Sequence, residues 1–193
     1  MPGLQSPNAY PRTIDNGAGE RLTFTRRTHG EAAERLELET VVAPNAGPLM
    51  HVHYLQTEAL TVVQGRIGYQ RPGEPPSFAG PGDTVVFGPG EPHKFWNAGS
   101  DELRCTGYVE PPCNAEYLLS AVFESQRRRG GKQPHPLDAA FLVRRYSDEF
   151  GLVEIPGAVQ RLVFPLMIAV GTLVGRYRKY AAAPPPVQRV RGS

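Results

Sequence analysis

The run "GPLMHVHYLQTEALTVVQG", residues 47–65, sets two histidines two apart and a glutamate five positions further on. In an extended strand alternate residues share a face, so His51 and His53 project side by side. Glu58 has the wrong parity to join them on one straight strand. A turn at "LQT" must intervene and bring it back on the neighbouring strand. Two imidazoles and a carboxylate buried alone carry a heavy desolvation cost, and a divalent cation held among them removes it. A third imidazole is at hand in "GPGDTVVFGPGEPHKFWN", where His93 follows a Gly/Pro turn and opens a strand through Phe95 and Trp96. Three neutral imidazoles and one carboxylate suit Fe(II), Mn, Ni, Co, Cu or Zn, one ion per chain. The set has no thiolate and leaves one or two coordination positions open, unlike a closed structural zinc site.

Short strands must hold these side chains. "ERLELETVV" alternates, with Leu36, Leu38, Thr40 and Val42 on one face and Arg35, Glu37 and Glu39 on the other. Runs at 59–64, 84–87, 94–97 and 103–109 are β-branched or aromatic. Between them lie "RPGEPPSFAGPGD", "GPGEP" and "NAGSDE", which carry turn chemistry. Many short strands at this spacing predict an all-β sandwich or barrel over residues 21–113. Phe95 shares parity with His93, Leu55 with His53, and Leu60 and Val62 with Glu58. These four are the candidates for lining a substrate pocket, although all four read equally as ordinary core, and Leu60 and Val62 more readily so. Tyr54 and Trp96 have the opposite parity and belong outside. His29 and His135 have no partners in the pattern and read as structural.

The two stretches resemble the paired motifs of the cupin superfamily. For the first, G-x5-H-x-H-x(3–4)-E-x6-G, His51, His53, Glu58 and Gly65 match in spacing, while Asn45 stands where the leading glycine is expected and Gly47 lies nearby. For the second, G-x5-P-x-G-x2-H-x3-N, Gly82, Gly90, His93 and Asn97 match, with Gly88 in place of the proline. Neither departure touches a ligand. The resemblance covers roughly residues 30–112 and implies a double-stranded β-helix, the jelly-roll barrel of that superfamily. It also implies a metal held by His51, His53, Glu58 and His93, with Glu58 able to act as a general base. The function it implies is a metal-dependent, dioxygenase-like oxidoreductase or an isomerase acting on a small organic molecule, aromatic compounds among the candidates. The alternative is a non-catalytic metal- or ligand-binding cupin.

Residues 1–20, rich in Pro, Gly and Asn, predict an irregular arm. Residues 114–180 change character and predict a C-terminal α-helical extension. One helix is capped by Asn114 and ended by Gly130, a second covers "PLDAAFLVRRYSDEFG", and a third runs from 157 to 180. Residues 181–193 predict a disordered tail. Net charge is +2, but residues 114–193 carry 12 Lys/Arg against 6 Asp/Glu. The simplest expectation is that this basic extension attracts an acidic barrel. Two cysteines at no metal spacing and an N-terminus without an apolar segment predict a cytoplasmic protein with reduced thiols. The patch "RRR" at 127–129 lacks interleaved aromatics, which argues against nucleic acid. The run "LVFPLMIAVGTLVG", residues 162–175, falls short of the ~20 residues that cross a bilayer. It predicts packing against the barrel or a sister subunit in a homodimer, with membrane-surface contact through 162–178 as the alternative.

Overall fold

The structure, a computed structural model, describes residues 9–30 and 33–189. Its strands are β1 (Arg12–Asp15), β2 (Glu20–His29), β3 (Glu34–Val42), β4 (His51–His53), β5 (Thr57–Gln64), β6 (Ile67–Gln70), β7 (Ser77–Ala79), β8 (Thr84–Phe87), β9 (Lys94–Asn97), β10 (Leu103–Glu110) and β11 (Phe150–Leu152). Helices α1 (Ala115–Arg129), α2 (Pro136–Arg145) and α3 (Gly157–Leu173) follow β10, and a short 3-10 helix covers Arg176–Tyr180.

The alternation in β3 decides the barrel wall. Leu36, Leu38, Thr40 and Val42 are all buried, and the strand pairs antiparallel with β2 on one side and β10 on the other. The main sheet runs β1-β2-β3-β10-β5-β8, and a second runs β7-β6-β9. The barrel so formed is a double-stranded β-helix, and one apolar core spans its sheets. Phe24, Leu36, Leu60, Ile67, Phe87 and Leu103 lie in that core with almost no exposure, each fully buried large side chain contributing roughly 2 kcal/mol.

Turn geometry follows the backbone needs of each position. Gly82 and Gly90, from the second motif, have φ of +93° and +79°, a region that favours glycine. Asn45 itself adopts φ +61°. Asparagine is among the few side chains that tolerate this region, so it performs the backbone task of the missing glycine. Asn97, fully buried, donates through Nδ2 to Val42 O and Asp101 O, both at 2.7 Å, and accepts from Gly99 N through Oδ1. The second motif therefore ends on an asparagine because its amide ties the end of β3 to the loop after β9.

The structure corrects several expectations. The irregular arm contains β1 and the start of β2, with β1 paired on β2 from Arg12↔Phe24 to Asp15↔Arg21; residues 1–8 lie outside the described residues. Alternation was too short there to stand out among the prolines and glycines. β7 sits inside the run assigned to turns. The second helix stops at Arg145, and the chain then extends as β11 to pair with β4. The third helix ends at Leu173, because Gly175 turns the chain at φ +67° before the 3-10 helix. Residues 181–189, expected to be disordered, are pinned instead. Glu149 accepts Val187 N at 2.8 Å, and Arg145 donates to the carbonyls of Ala183 and Pro184. Residues 190–193 lie outside the described residues.

The charge expectation is also reversed. Among the described residues, the ion pairs joining barrel to extension run from barrel arginines to a helix carboxylate. Arg12 and Arg27 meet Glu116 of α1 at 2.8 and 3.1 Å, and Tyr10 donates to it as well. Phe123 adds an apolar contact by entering the barrel core. Arg176 and Lys179 are bound within the extension, to the buried Asp138 at 2.8 and 2.7 Å.

Candidate metal centre

Three segments deliver the four chemistry-bearing side chains. β4 carries His51 and His53, and the turn after it returns the chain as β5 with Glu58. His93 precedes β9 and is tied to His51 by a two-way backbone bridge, with His51 N to His93 O at 2.9 Å and His93 N to His51 O at 2.8 Å. The next turn is fastened to β4 by Gly90 N donating to His53 O. Local turn chemistry thus fixes the separation of ligands far apart in sequence.

One ligand atom from each of His51, His53, Glu58 and His93 lies within 4.8 Å of the others. Oε2 of Glu58 stands 3.0 Å from His93 Nε2, 3.2 Å from His53 Nε2 and 3.8 Å from His51 Nε2. The far sides of two rings are anchored. His51 Nδ1 donates to Leu49 O at 2.8 Å and His93 Nδ1 to Glu91 O at 2.9 Å. A carbonyl oxygen only accepts, so the proton sits on Nδ1, and each neutral imidazole turns its Nε2 lone pair toward the centre. At His93 this sets a lone pair against a carboxylate oxygen. Two acceptors 3.0 Å apart repel unless a proton or a cation stands between them. This frustration suits a metal, and the donor set of three imidazoles and a carboxylate suits a divalent transition ion.

Burial opposes charge at Glu58, His51 and His53. At Glu58 it pushes the pKa up, yet contacts from three histidines hold the carboxyl well below the usual carboxylate range. Burial also works against His51⁺, but the hydrogen bond and charge of Glu58 outweigh it and raise the pKa. At His53 burial wins and lowers it.

Sequence parity did not reveal several neighbours. Phe87 of β8 stacks flat on His93, with centroids 3.8 Å apart and planes at 3°. Phe150 of β11 meets the His53 ring edge-on at 5.1 Å. That contact matters because His53 Nδ1 is buried with no hydrogen-bond partner; packing, not a carbonyl, orients this ring. Glu20 of β2 lies near enough to His51 for each to shift the other's titration. Glu20 and Phe150 lie outside both motifs and Phe87 falls at an unspecified position of the second, so only the folded chain brings them to the site. Of the four pocket candidates, Leu60, Val62 and Phe95 are packed into the barrel core, whereas Leu55 is half-buried in the turn after β4. Trp96 covers Gly68 and meets Phe78, which is exposed, so it lies outside as its parity requires. His29 ends β2 exposed, and His135 caps α2 by accepting from Leu137 N. The His51 side chain retains 18% exposure while that of His93 has none, so a small molecule must approach from the His51 side.

Residues 38–108 match the family model of the cupin domain, Cupin_2, a span that holds all four clustered residues. No curated protein matches the chain. Among solved structures, a conserved protein with a double-stranded β-helix domain from Klebsiella pneumoniae is 18% identical. The match covers 53% of this chain and 80% of that one, at a TM-score of 0.41. A polyketide cyclase, RemF, from Streptomyces resistomycificus is 20% identical over 55% of this chain and 78% of its own, at 0.41. A putative sugar phosphate isomerase from Acidithiobacillus ferrooxidans is 22% identical over 39% of this chain, at 0.36, and this chain spans 49% of its length. Both motifs thus lie within residues 38–108, the segment that is similar to the cupin domain.

Proposed function

We propose that this cupin is a metal-dependent enzyme of the oxygenase or isomerase kind, acting on a small organic molecule. The observation that carries the reading is the acceptor-to-acceptor contact of His93 Nε2 with Glu58 Oε2, inside a cluster whose four ligand atoms lie within 4.8 Å. His51, His53, Glu58 and His93 would hold one divalent transition metal, which when bound supplies a Lewis acid and, for iron or manganese, a redox partner. The chain itself supplies position and exclusion of water. Carbonyls of Leu49 and Glu91 fix two imidazoles, Phe87 and Phe150 wall off two rings, and the His51 side admits the substrate. Glu58 is the carboxylate of the cluster, and it is the group suited to take a proton.

Close packing of Leu60, Val62 and Phe95 favours a second reading, a cupin that binds a ligand at the barrel mouth without turning it over. Elemental analysis of untagged protein tests both. About one transition metal per chain is the expected result, sharply reduced in Glu58→Ala or His51→Ala. Oxygen uptake or isomer formation by the loaded protein, across a panel of phenols, diketones and sugars, supports the enzyme. Metal without turnover leaves the binding module, and protein without metal defeats both.

A further inference from the structure

Helix α3 is the most apolar segment of the chain, and most of it faces solvent. Leu162, Val163, Leu166, Val170, Leu173 and Val174 are all exposed, Leu166 by 69% and Leu173 by 86%. At 100° per residue these six fall within an arc of about 120°. Together they form one contiguous exposed apolar stripe, the kind of patch that marks an interaction surface. The opposite side of α3 is already used, with Phe164 and Gly171 buried and Tyr177 packed across Gly171.

Charge decides what can cover this face. From Gly157 to Tyr180 the chain has no acidic residue, while Arg161 stands at one end of the helix and Arg176, Arg178 and Lys179 follow the other. Arg161 and Arg178 are exposed. Arg128 and Arg129 of α1 join Arg176 and Lys179 around a cleft of about 390 Å³ beside the 3-10 helix. A second copy meeting this one through α3 would offer no carboxylate between residues 157 and 180 to answer the exposed arginines. An anionic lipid surface supplies the opposite charge and also takes up the apolar arc. Spanning is ruled out for this helix, because 17 residues reach about 26 Å against a hydrocarbon core of about 30 Å, and no helix among the described residues is long and apolar enough to cross.

We propose that α3 docks this protein flat on an anionic membrane surface, its leucines and valines entering the headgroup–acyl boundary and Arg161 and Arg178 meeting lipid phosphates. Barrel ion pairs do not consume these cations, since Glu116 faces Arg12 and Arg27 instead.

Sedimentation of the full chain with vesicles tests the proposal, comparing phosphatidylcholine alone with phosphatidylcholine mixed with phosphatidylglycerol. The expected result is binding to the anionic vesicles, much weaker binding to neutral ones, and release as salt rises toward ~1 M, where screening is nearly complete. Leu162→Glu with Leu166→Glu should abolish binding. Arg161→Glu with Arg178→Glu should weaken it by about tenfold or more and flatten its salt dependence. All four positions are exposed, and unchanged circular dichroism confirms an intact fold; should the leucine pair fail to fold, the arginine pair still decides. No binding to anionic vesicles, equal binding to neutral ones, or a solution dimer that Leu166→Glu splits into monomers would each overturn the proposal.

Discussion

The barrel and the C-terminal extension bury opposite kinds of group. In the barrel the apolar side chains point inward and enclose one polar cluster whose acceptors face each other. In the extension a buried carboxylate is fully answered by neighbouring cations and a hydroxyl, while the most apolar helix is left facing outward. Asp138 has no exposure and receives Arg176, Lys179 and Ser125. The difference separates two uses of marginal interactions. A satisfied polar cluster holds a structure together, whereas a frustrated cluster or a bare apolar face indicates something still to bind. The two regions nevertheless touch at the site, since β11 of the extension pairs with the ligand strand β4 from Phe150↔His53 to Leu152↔His51.

Asp138→Ala should give the largest effect on this contrast. It strands two cations beside a buried hole, and a loss of about 3–5 kcal/mol is expected in chemical denaturation, with metal content of the folded protein unchanged. Loss of metal as well would mean that the two regions are not separable. Glu149→Ala removes the carboxylate that accepts Asn114 N, Asn114 Nδ2 and Val187 N, and about 2–3 kcal/mol should follow. Proteolysis should then cut first near residue 187.

Acidification separates the regions by titration. Burial raises the Asp138 pKa, but Arg176 and Lys179 outweigh it and leave it lowered; burial likewise raises that of Glu58, but the three histidines hold it well below the usual carboxylate range. A depressed folded pKa contributes stability above the unfolded value and loses it as pH falls through the folded one. Metal-free protein should therefore weaken from about pH 4 downward, by up to about 1.4 kcal/mol per pH unit for each proton taken up. Asp138→Asn should remove the extension's share and leave that of Glu58. A variant as acid-sensitive as the parent would refute the assignment.

Phe150→Ala tests the seam between regions. His53 lacks a carbonyl on Nδ1, so losing its aromatic neighbour should lower metal affinity by about tenfold, the lower end of what outer-shell losses cost, measured by competition with a chelating dye. An unchanged affinity would show that β4 alone orients the ring. The smallest effect is expected from Asn45→Gly. Its φ of +61° suits glycine, so thermal stability should move by less than about 0.5 kcal/mol in either direction.

Residue type and spacing alone made the four clustered side chains legible, because the two-residue period of a strand and the short turn after His53 are local facts. The same holds for β3, β8 and β9, and for α1 between Asn114 and Gly130. Local pattern did not reach β1, β7 or β11, whose short segments acquire their strand character from a partner distant in sequence, nor the pinning of residues 181–189 by Glu149 and Arg145. The arrival of Phe87, Phe150 and Glu20 around the histidines, the reversed polarity of the barrel–extension ion pairs and the outward turn of α3 were likewise settled only by tertiary structure. Each depends on which surfaces meet when the chain closes, and neither hydropathy nor charge along the sequence encodes that choice.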